Sequence, residues 1–541
     1  MIRSPLWKWM PLLLLVLWVL SPLPSEGRKT EGGPAGDVEA TREEVGDKVP
    51  EDKREKKKES DGSGKAGDVV SETRHKLEWN GKTCEYTARA GTMALKDEAG
   101  EEKARIFYVS YELEAEERRK RPVTFAFNGG PGAASVWLHL GALGPVKVEL
   151  GEDGRVKPPP ARLSANPHSW LPFTDLVFVD PVGTGFSREE PSDGQSGESF
   201  YGVQEDIESV GEFVRLYLTR GERWLSPKFL VGESYGAVRA AGLSKHLHEE
   251  FGIALNGVVL VSPALDFDTI LFGSPNDLPY PLFLPSYAAT ARYHGLLAPE
   301  WRQKPLEELL AEVEEFALGE YLGALARGGG LSKAEEERVA AKLAAYTGLD
   351  PKLVRLAGLR VPQSRFVKEL LRDRRRIVGR MDSTVTGPDP EPVNHPHAAY
   401  DPSLEPLYGP FSTGINAYLR QDLEFETDLP YEFLNAEVNR SWDWGSSSNR
   451  SQGYVDFSDA LHDALLVNPW LRVLVAGGYY DLATPYFTVQ YALDRMRLEP
   501  GLQDNIVFEK YEGGHMMYTR QDVLSRFTDR AREFYARSSN L

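Results

Sequence analysis

Six short runs of almost wholly apolar residues restrict what this chain can fold into. They are VTFAF at 123–127, LVFVD at 176–180, KFLVG at 228–232, GVVLV at 257–261, LRVLVAGG at 471–478 and NIVFEK at 505–510. Runs this short, without polar alternation, suit strands covered on both faces, as in a parallel sheet between two helical layers. A helical pattern falls between two of them in QEDIESVGEFVRLYLTR, where Val203, Ile207, Val210, Val214, Leu216 and Leu218 gather largely on one face. Strand and helix alternate, so the predicted class is α/β with a mostly parallel central sheet.

The rest of the chain is organised around those runs. At the N-terminus, Arg3 and Lys8 precede the apolar stretch MPLLLLVLWVL, and SPLPSEG follows. This is the layout of a secretory signal over residues 1–27, too short to span a bilayer, with an uncleaved N-terminal anchor as the alternative. The predicted location is therefore periplasmic or extracellular. Residues 28–68 are densely charged and poor in large apolar side chains, which predicts a disordered linker. From about residue 69 to 541 the chain reads as one catalytic domain. It opens with alternating segments, KTCEYTARAGTMALKD and ARIFYVSYELE, separated by EAGEE, the pattern of a hairpin. Between about residues 267 and 445 the strand pattern lapses into amphipathic helices such as EELLAEVEEFALGEYLGALA, so a helix-rich cap is expected to interrupt the sheet. PGLQ near Pro500 reads as a loop. The single cysteine, Cys84, excludes an intramolecular disulfide and a Cys-based zinc cluster, and its strand context predicts a buried side chain. No metal or cofactor is called for. A formal net charge of -18 argues against nucleic acid as a partner. The oligomeric state is left open.

The sharpest chemical signal is Gly232-Glu233-Ser234-Tyr235-Gly236. A G-x-S-x-G pattern alone is weak. Here an apolar strand leads in and a helical segment, AVRAAGLSKHL, leads out, as a strained turn carrying a nucleophile requires. A serine hydroxyl needs a base. Of ten histidines, His515 in YEGGHMMY follows a strand and opens a Gly-rich loop. His139, His246, His248, His395 and His397 read as structural. Asp481 ends LRVLVAGGYYD and precedes His515 by 34 positions, with Asp456 and Asp463 as less suitable alternatives because neither closes a strand. Ser234, Asp481 and His515 thus follow the chain order of α/β-hydrolases. The loop Asn128-Gly129-Gly130-Pro131-Gly132 after VTFAF offers backbone donors, and the N–H groups of Gly130 and Tyr235 are candidates for an oxyanion hole. The loop lacks G-K-[ST], so a phosphate cradle is disfavoured.

FNGGPGAASVWLHLGALGP, NPHSWLPFTDLVFVDPVGTGFS, VGESYGA and AGGYYDLATP with EGGHMMY together resemble the serine carboxypeptidase family. The resemblance runs from about Val69 to the C-terminus and is weakest in the insertion. It implies an α/β-hydrolase fold and removal of C-terminal residues from peptides through an acyl-enzyme on Ser234. His515 would be the general base and Asp481 its orienting acid. It further implies that Asn128, Gly129 and a protonated Glu233 hold the substrate's free carboxylate. Two departures stand out. Many members carry a second glutamate in an ELGP run, where this chain has Ala142-Leu143-Gly144-Pro145. The absence of disulfides also points to a bacterial-type branch, or to stability from packing alone. An esterase or acyltransferase on the same triad is the nearest alternative, and an inactive secreted binding protein the more distant one. Trp442, Trp444 and Tyr400 are candidate pocket residues, with core packing as the plainer reading.

Overall fold

The computed structural model describes residues 69–79, 81–190, 200–445 and 455–539. The predicted signal and linker lie outside the described residues. Within them, the apolar runs become the centre of a ten-stranded sheet. In chain order its main strands are β1 (Val70–Trp79), β2 (Lys82–Lys96), β3 (Glu102–Leu113), β4 (Val123–Phe127), β5 (Asp175–Asp180), β6 (Lys228–Glu233), β7 (Gly257–Val261), β8 (Arg472–Gly478) and β9 (Ile506–Tyr511). The two-residue strand Arg188–Glu189 pairs with β3. The spatial order is β1-β2-β3-β5-β4-β6-β7-β8-β9. From β5 to β9 every pairing is parallel, and β1, β2 and β3 extend one edge antiparallel. This is the strand order and strand–turn–helix arrangement of an α/β-hydrolase fold.

The continuous apolar runs follow from burial on both faces. In β6, Phe229 and Val231 enter one core while Leu230 enters the other, and in β7 Val259 and Val261 oppose Val258 and Leu260. One face is covered by the C-terminal helix Gln521–Ser538, whose Tyr535 stacks on Phe229 with ring centroids 4.0 Å apart. The Tyr535 hydroxyl also lies 2.7 Å from Thr124 Oγ1 on β4. The opposite face carries the helices Val203–Arg220, Tyr235–Phe251 and Ser458–Val467. Between β7 and β8 the chain is mainly helical, with the small ribbon Arg376–Val378/Thr386–Pro388, and it builds a third apolar cluster together with residues just after β8.

Two expectations are corrected. Cys84 lies in β2 but is partly exposed, because it sits near the end of the β1–β2 ribbon, where burial falls away. Pro500–Gln503 is a short helical turn, with proline at its first position. No helix among the described residues is long and apolar enough to cross a membrane.

At the N-terminal end of the parallel strands, a buried charge cluster joins three segments. Arg223 Nη1 donates to Asp175 Oδ2 at 2.7 Å, and Arg121 Nε donates to Asp175 Oδ1 at 2.9 Å. Arg223 Nη2 also donates to the Arg121 carbonyl at 2.8 Å. Removing one member of a buried ion pair strands the other, typically for ~3–5 kcal/mol. Arg223→Met should sit at the lower end, a loss of about 3 kcal/mol, because Arg121 still faces Asp175. The shift in urea unfolding midpoint measures it.

Candidate active site

The C-terminal ends of β4 and β6 lie side by side where the strand order reverses, the usual place for a site in an open α/β sheet. Ser234 sits there, between β6 and the helix Tyr235–Phe251, with φ 59° and ψ -124°. A non-glycine residue with this backbone is strained by on the order of 1–3 kcal/mol. Three glycines make the turn possible. A Cβ on Gly129 would meet Tyr235 N at 2.4 Å, one on Gly232 would meet the Gly236 carbonyl oxygen at 2.1 Å, and one on Gly236 would meet the Phe127 carbonyl oxygen at 2.7 Å. The Asn128–Gly130 loop can therefore lie directly on the helix start. Neither the Gly130 nor the Tyr235 N–H donates to another group among the described residues. Both remain available to an oxyanion.

The structure brings Asp481 and His515 into direct contact. His515 Nδ1 lies 2.8 Å from Asp481 Oδ2, and both side chains are sealed from solvent. Asp481 Oδ1 accepts from the N–H groups of Ala483 at 2.7 Å and Thr484 at 3.0 Å. Asp481 therefore anchors its own turn. It does not cap the next helix, which starts after Pro485. Burial works to raise the Asp481 pKa, but the neighbouring imidazole and these donors hold it below the ordinary range. Burial acts to lower the His515 pKa, and the Asp481 charge overcomes it, leaving the imidazole above its usual value. His515 Nε2 is buried and has no partner. An imidazole held at Nδ1 by a carboxylate and unpaired at Nε2 is arranged to take a proton there.

Ser234 and His515 are tied to two adjacent residues at the end of β7, with no hydrogen bond between the serine hydroxyl and His515 Nε2. The Ser234 N–H donates to the Val261 carbonyl at 3.0 Å, and Ser262 Oγ donates to the His515 carbonyl at 2.7 Å. Thr484 Oγ1 completes the cluster, 2.8 Å from the Ser262 carbonyl, 2.9 Å from Asp481 Oδ2 and 3.1 Å from His515 Nδ1. The chain between β7 and β8 braces these loops through its backbone. His515 N–H donates to the Met381 carbonyl at 2.6 Å, Leu482 N–H to the Arg380 carbonyl at 3.0 Å, and Ser383 N–H to the Tyr480 carbonyl at 3.0 Å.

Beside the serine, Glu233 is almost fully buried. Burial pushes its carboxyl up to about 7, against the opposing influence of His515 and of hydrogen bonds from Tyr518 and Asn128. Tyr518 donates to Glu233 Oε2 at 2.6 Å. Asn128 is aimed from its other end, since its Oδ1 accepts from the Leu138 N–H at 3.0 Å. Its carbonyl accepts from Arg239 Nη1 at 2.7 Å, and Arg239 Nε donates in turn to buried Asp206 at 2.8 Å. The D-P-V-G-T-G-F-S segment also positions this loop, because Asp180 Oδ1 accepts from the Ser135 N–H at 2.8 Å.

The other histidines lie apart from this cluster or in packing. His139 is buried against Phe178 and lies 2.6 Å from the Tyr111 hydroxyl, and burial lowers it to about 3. His246 packs on Gly211 and Phe251, and His395 and His397 contact each other at the surface. Asp456 faces Asp266, and Asp463 pairs with Lys245. Trp442 and Trp444 stand edge-on to Tyr235 at 5.3 and 5.7 Å, whereas Tyr400 packs on Gly387. Sequence reasoning missed Thr484, Tyr518 and Arg239. Only Thr484 carried a signal, as a hydroxyl three residues after an aspartate in a turn.

Residues 82–274 match the family model described as serine carboxypeptidase. Among curated relatives, the chain is 27% identical over 166 residues to a carboxypeptidase Y homolog of Arthroderma benhamiae, covering 29% of each chain. It is 29% identical over 171 residues to the pheromone-processing carboxypeptidase KEX1 of Phytophthora infestans, covering 30% of this chain and 26% of that one. It is 26% identical over 179 residues to serine carboxypeptidase-like 8 of Arabidopsis thaliana, covering 31% of this chain and 39% of the relative. The match thus spans about a quarter to two fifths of these relatives' length. Among solved structures, the proline iminopeptidase of Mycobacterium smegmatis aligns over 86% of this chain and 99% of its own, at TM-score 0.32 and 14% identity.

The glycine contacts make a direct prediction. Gly129→Ala forces the Asn128 loop away from the Tyr235 N–H, and displacements near 1 Å can cost ~10²-fold. Labelling of Ser234 by a serine-directed phosphonofluoridate should slow by about 10²-fold or more. Intact-mass time courses give the rate.

Proposed function

We propose that this chain, which matches the serine carboxypeptidases over residues 82–274, is a serine exopeptidase that removes residues from the C-termini of peptides. Ser234 attacks the last peptide carbonyl. His515 takes the hydroxyl proton at Nε2 and returns it to the leaving amine, and Asp481 holds the imidazole through Nδ1. The Gly130 and Tyr235 N–H groups receive the oxyanion. Water then releases the acyl group through the same base. The signal read in residues 1–27 assigns this activity to an exported protein.

The observation that carries the exopeptidase reading is the buried carboxyl of Glu233 immediately before the strained serine, held near neutrality at about 7 and grouped with Asn128. An ionised carboxylate would repel a substrate carboxylate. A protonated one donates a hydrogen bond to it. An esterase needs no such group.

Two outcomes test the reading. Ser234→Ala should lower C-terminal trimming of a mixed peptide library on the order of 10⁴-fold or more. Mass spectrometry shows which terminus shortens, and N-terminal or internal cleavage would overturn the assignment. The pH dependence provides the second test. Peptidase activity needs Glu233 protonated, so kcat/KM for free-carboxylate peptides should fall as pH rises through about 7. Hydrolysis of neutral esters, which needs only His515 deprotonated, should keep rising across the same range. Superimposable profiles would remove Glu233 from substrate binding and favour the esterase reading.

A further inference from the structure

Burial raises the Glu233 carboxyl, and His515, Tyr518, Asn128 and Asp481 are the groups that act on its charge. Of these, Tyr518 is the one that the sequence pattern did not single out. It lies three residues past His515, in the 3₁₀ turn Met517–Thr519, and is sealed from solvent. Its ring rests on Gly141, where a Cβ would meet Tyr518 Cε2 at 2.9 Å. The chain just after His515 thus reaches across from the Gly141 turn to the carboxyl of Glu233. The Tyr518 hydroxyl is 2.6 Å from Glu233 Oε2. Burial drives its own ionisation well above the ordinary range, so it keeps its proton and can donate it to Glu233.

A neutral carboxyl group can carry its proton on either oxygen. A donor fixed on one oxygen makes that oxygen the acceptor and leaves the proton to the other. We propose that Tyr518 is a positioning residue for substrate recognition: by occupying Glu233 Oε2 it assigns the acid proton to Oε1, directed at the free carboxylate of the peptide. The proposal rests on the exopeptidase reading. It adds that carboxylate recognition runs through a phenol, so the hydroxyl sets both the strength and the pH range of recognition.

Comparing a peptide with its C-terminal amide in the wild type and in Tyr518→Phe tests this. Phenylalanine fills the same space over Gly141. Without the donor, ionised Glu233 is less stabilised, so its pKa rises. The alkaline fall in peptidase kcat/KM should move upward by about half to one pH unit, the worth of one hydrogen bond. The preference for free acid over amide should drop about tenfold, mainly through KM. A purely structural role would depress both substrates together and leave the pH profile in place, and that result overturns the proposal. Glu233→Gln gives an independent measure. With Tyr518 present, its amide is held with the NH₂ toward substrate, so acid-over-amide preference should persist while the alkaline fall disappears. Loss of that preference in Glu233→Gln would also count against Tyr518. A wild type that cleaves acid and amide equally defeats the exopeptidase reading itself. A wild type that discriminates, with an unchanged Tyr518→Phe, defeats only the role given to Tyr518.

Discussion

Main-chain contact without side chains between is the constraint on which this site rests. The turn carrying Ser234, the loop carrying Asn128 and the start of the following helix occupy one small volume. They fit because Gly129, Gly232 and Gly236 present only backbone to each other. The unfavourable dihedrals at Ser234 are sustained by that packing and by the Val261 carbonyl that receives the serine N–H. The parallel sheet serves chiefly as a rigid mount. Its strands end at the same level, so side chains hundreds of positions apart in sequence can share hydrogen bonds.

Charge placement then separates the tasks of neighbouring carboxyl groups. Asp481 and Glu233 are both buried and both feel His515. Asp481 also receives two backbone N–H groups and the imidazole, and it stays ionised at neutral pH. Glu233 has a phenol and an amide and titrates near 7. Burial acts upward on both. The number and charge of the donors decide which carboxyl keeps its proton.

Much of this was readable in the sequence. The apolar runs marked the six parallel strands because burial on both faces removes the need for polar alternation. Ser234, Asp481 and His515 were picked out from strand ends and turn residues, which are local features, and the structure joins the last two directly. Tyr518 closes the EGGHMMY run but was not singled out there, because its contacts depend on how the loop after β9 folds over Gly141. Arg239 looked like one charged residue on a helix. Its place between Asp206 and the Asn128 carbonyl depends on two helices meeting under a loop. Cys84 was misread because strand membership says nothing about how far the covering helices extend along the ribbon.

The segment Arg380–Ser383 has a bearing on engineering. It belongs to the long helical stretch between β7 and β8, yet its peptide groups clasp the turns that present Asp481 and His515. That stretch therefore cannot be exchanged like a detachable cover. Any chimera carrying a foreign cap has to retain these four residues at their present height, or the main-chain N–H of His515 loses the peptide oxygen that seats its loop.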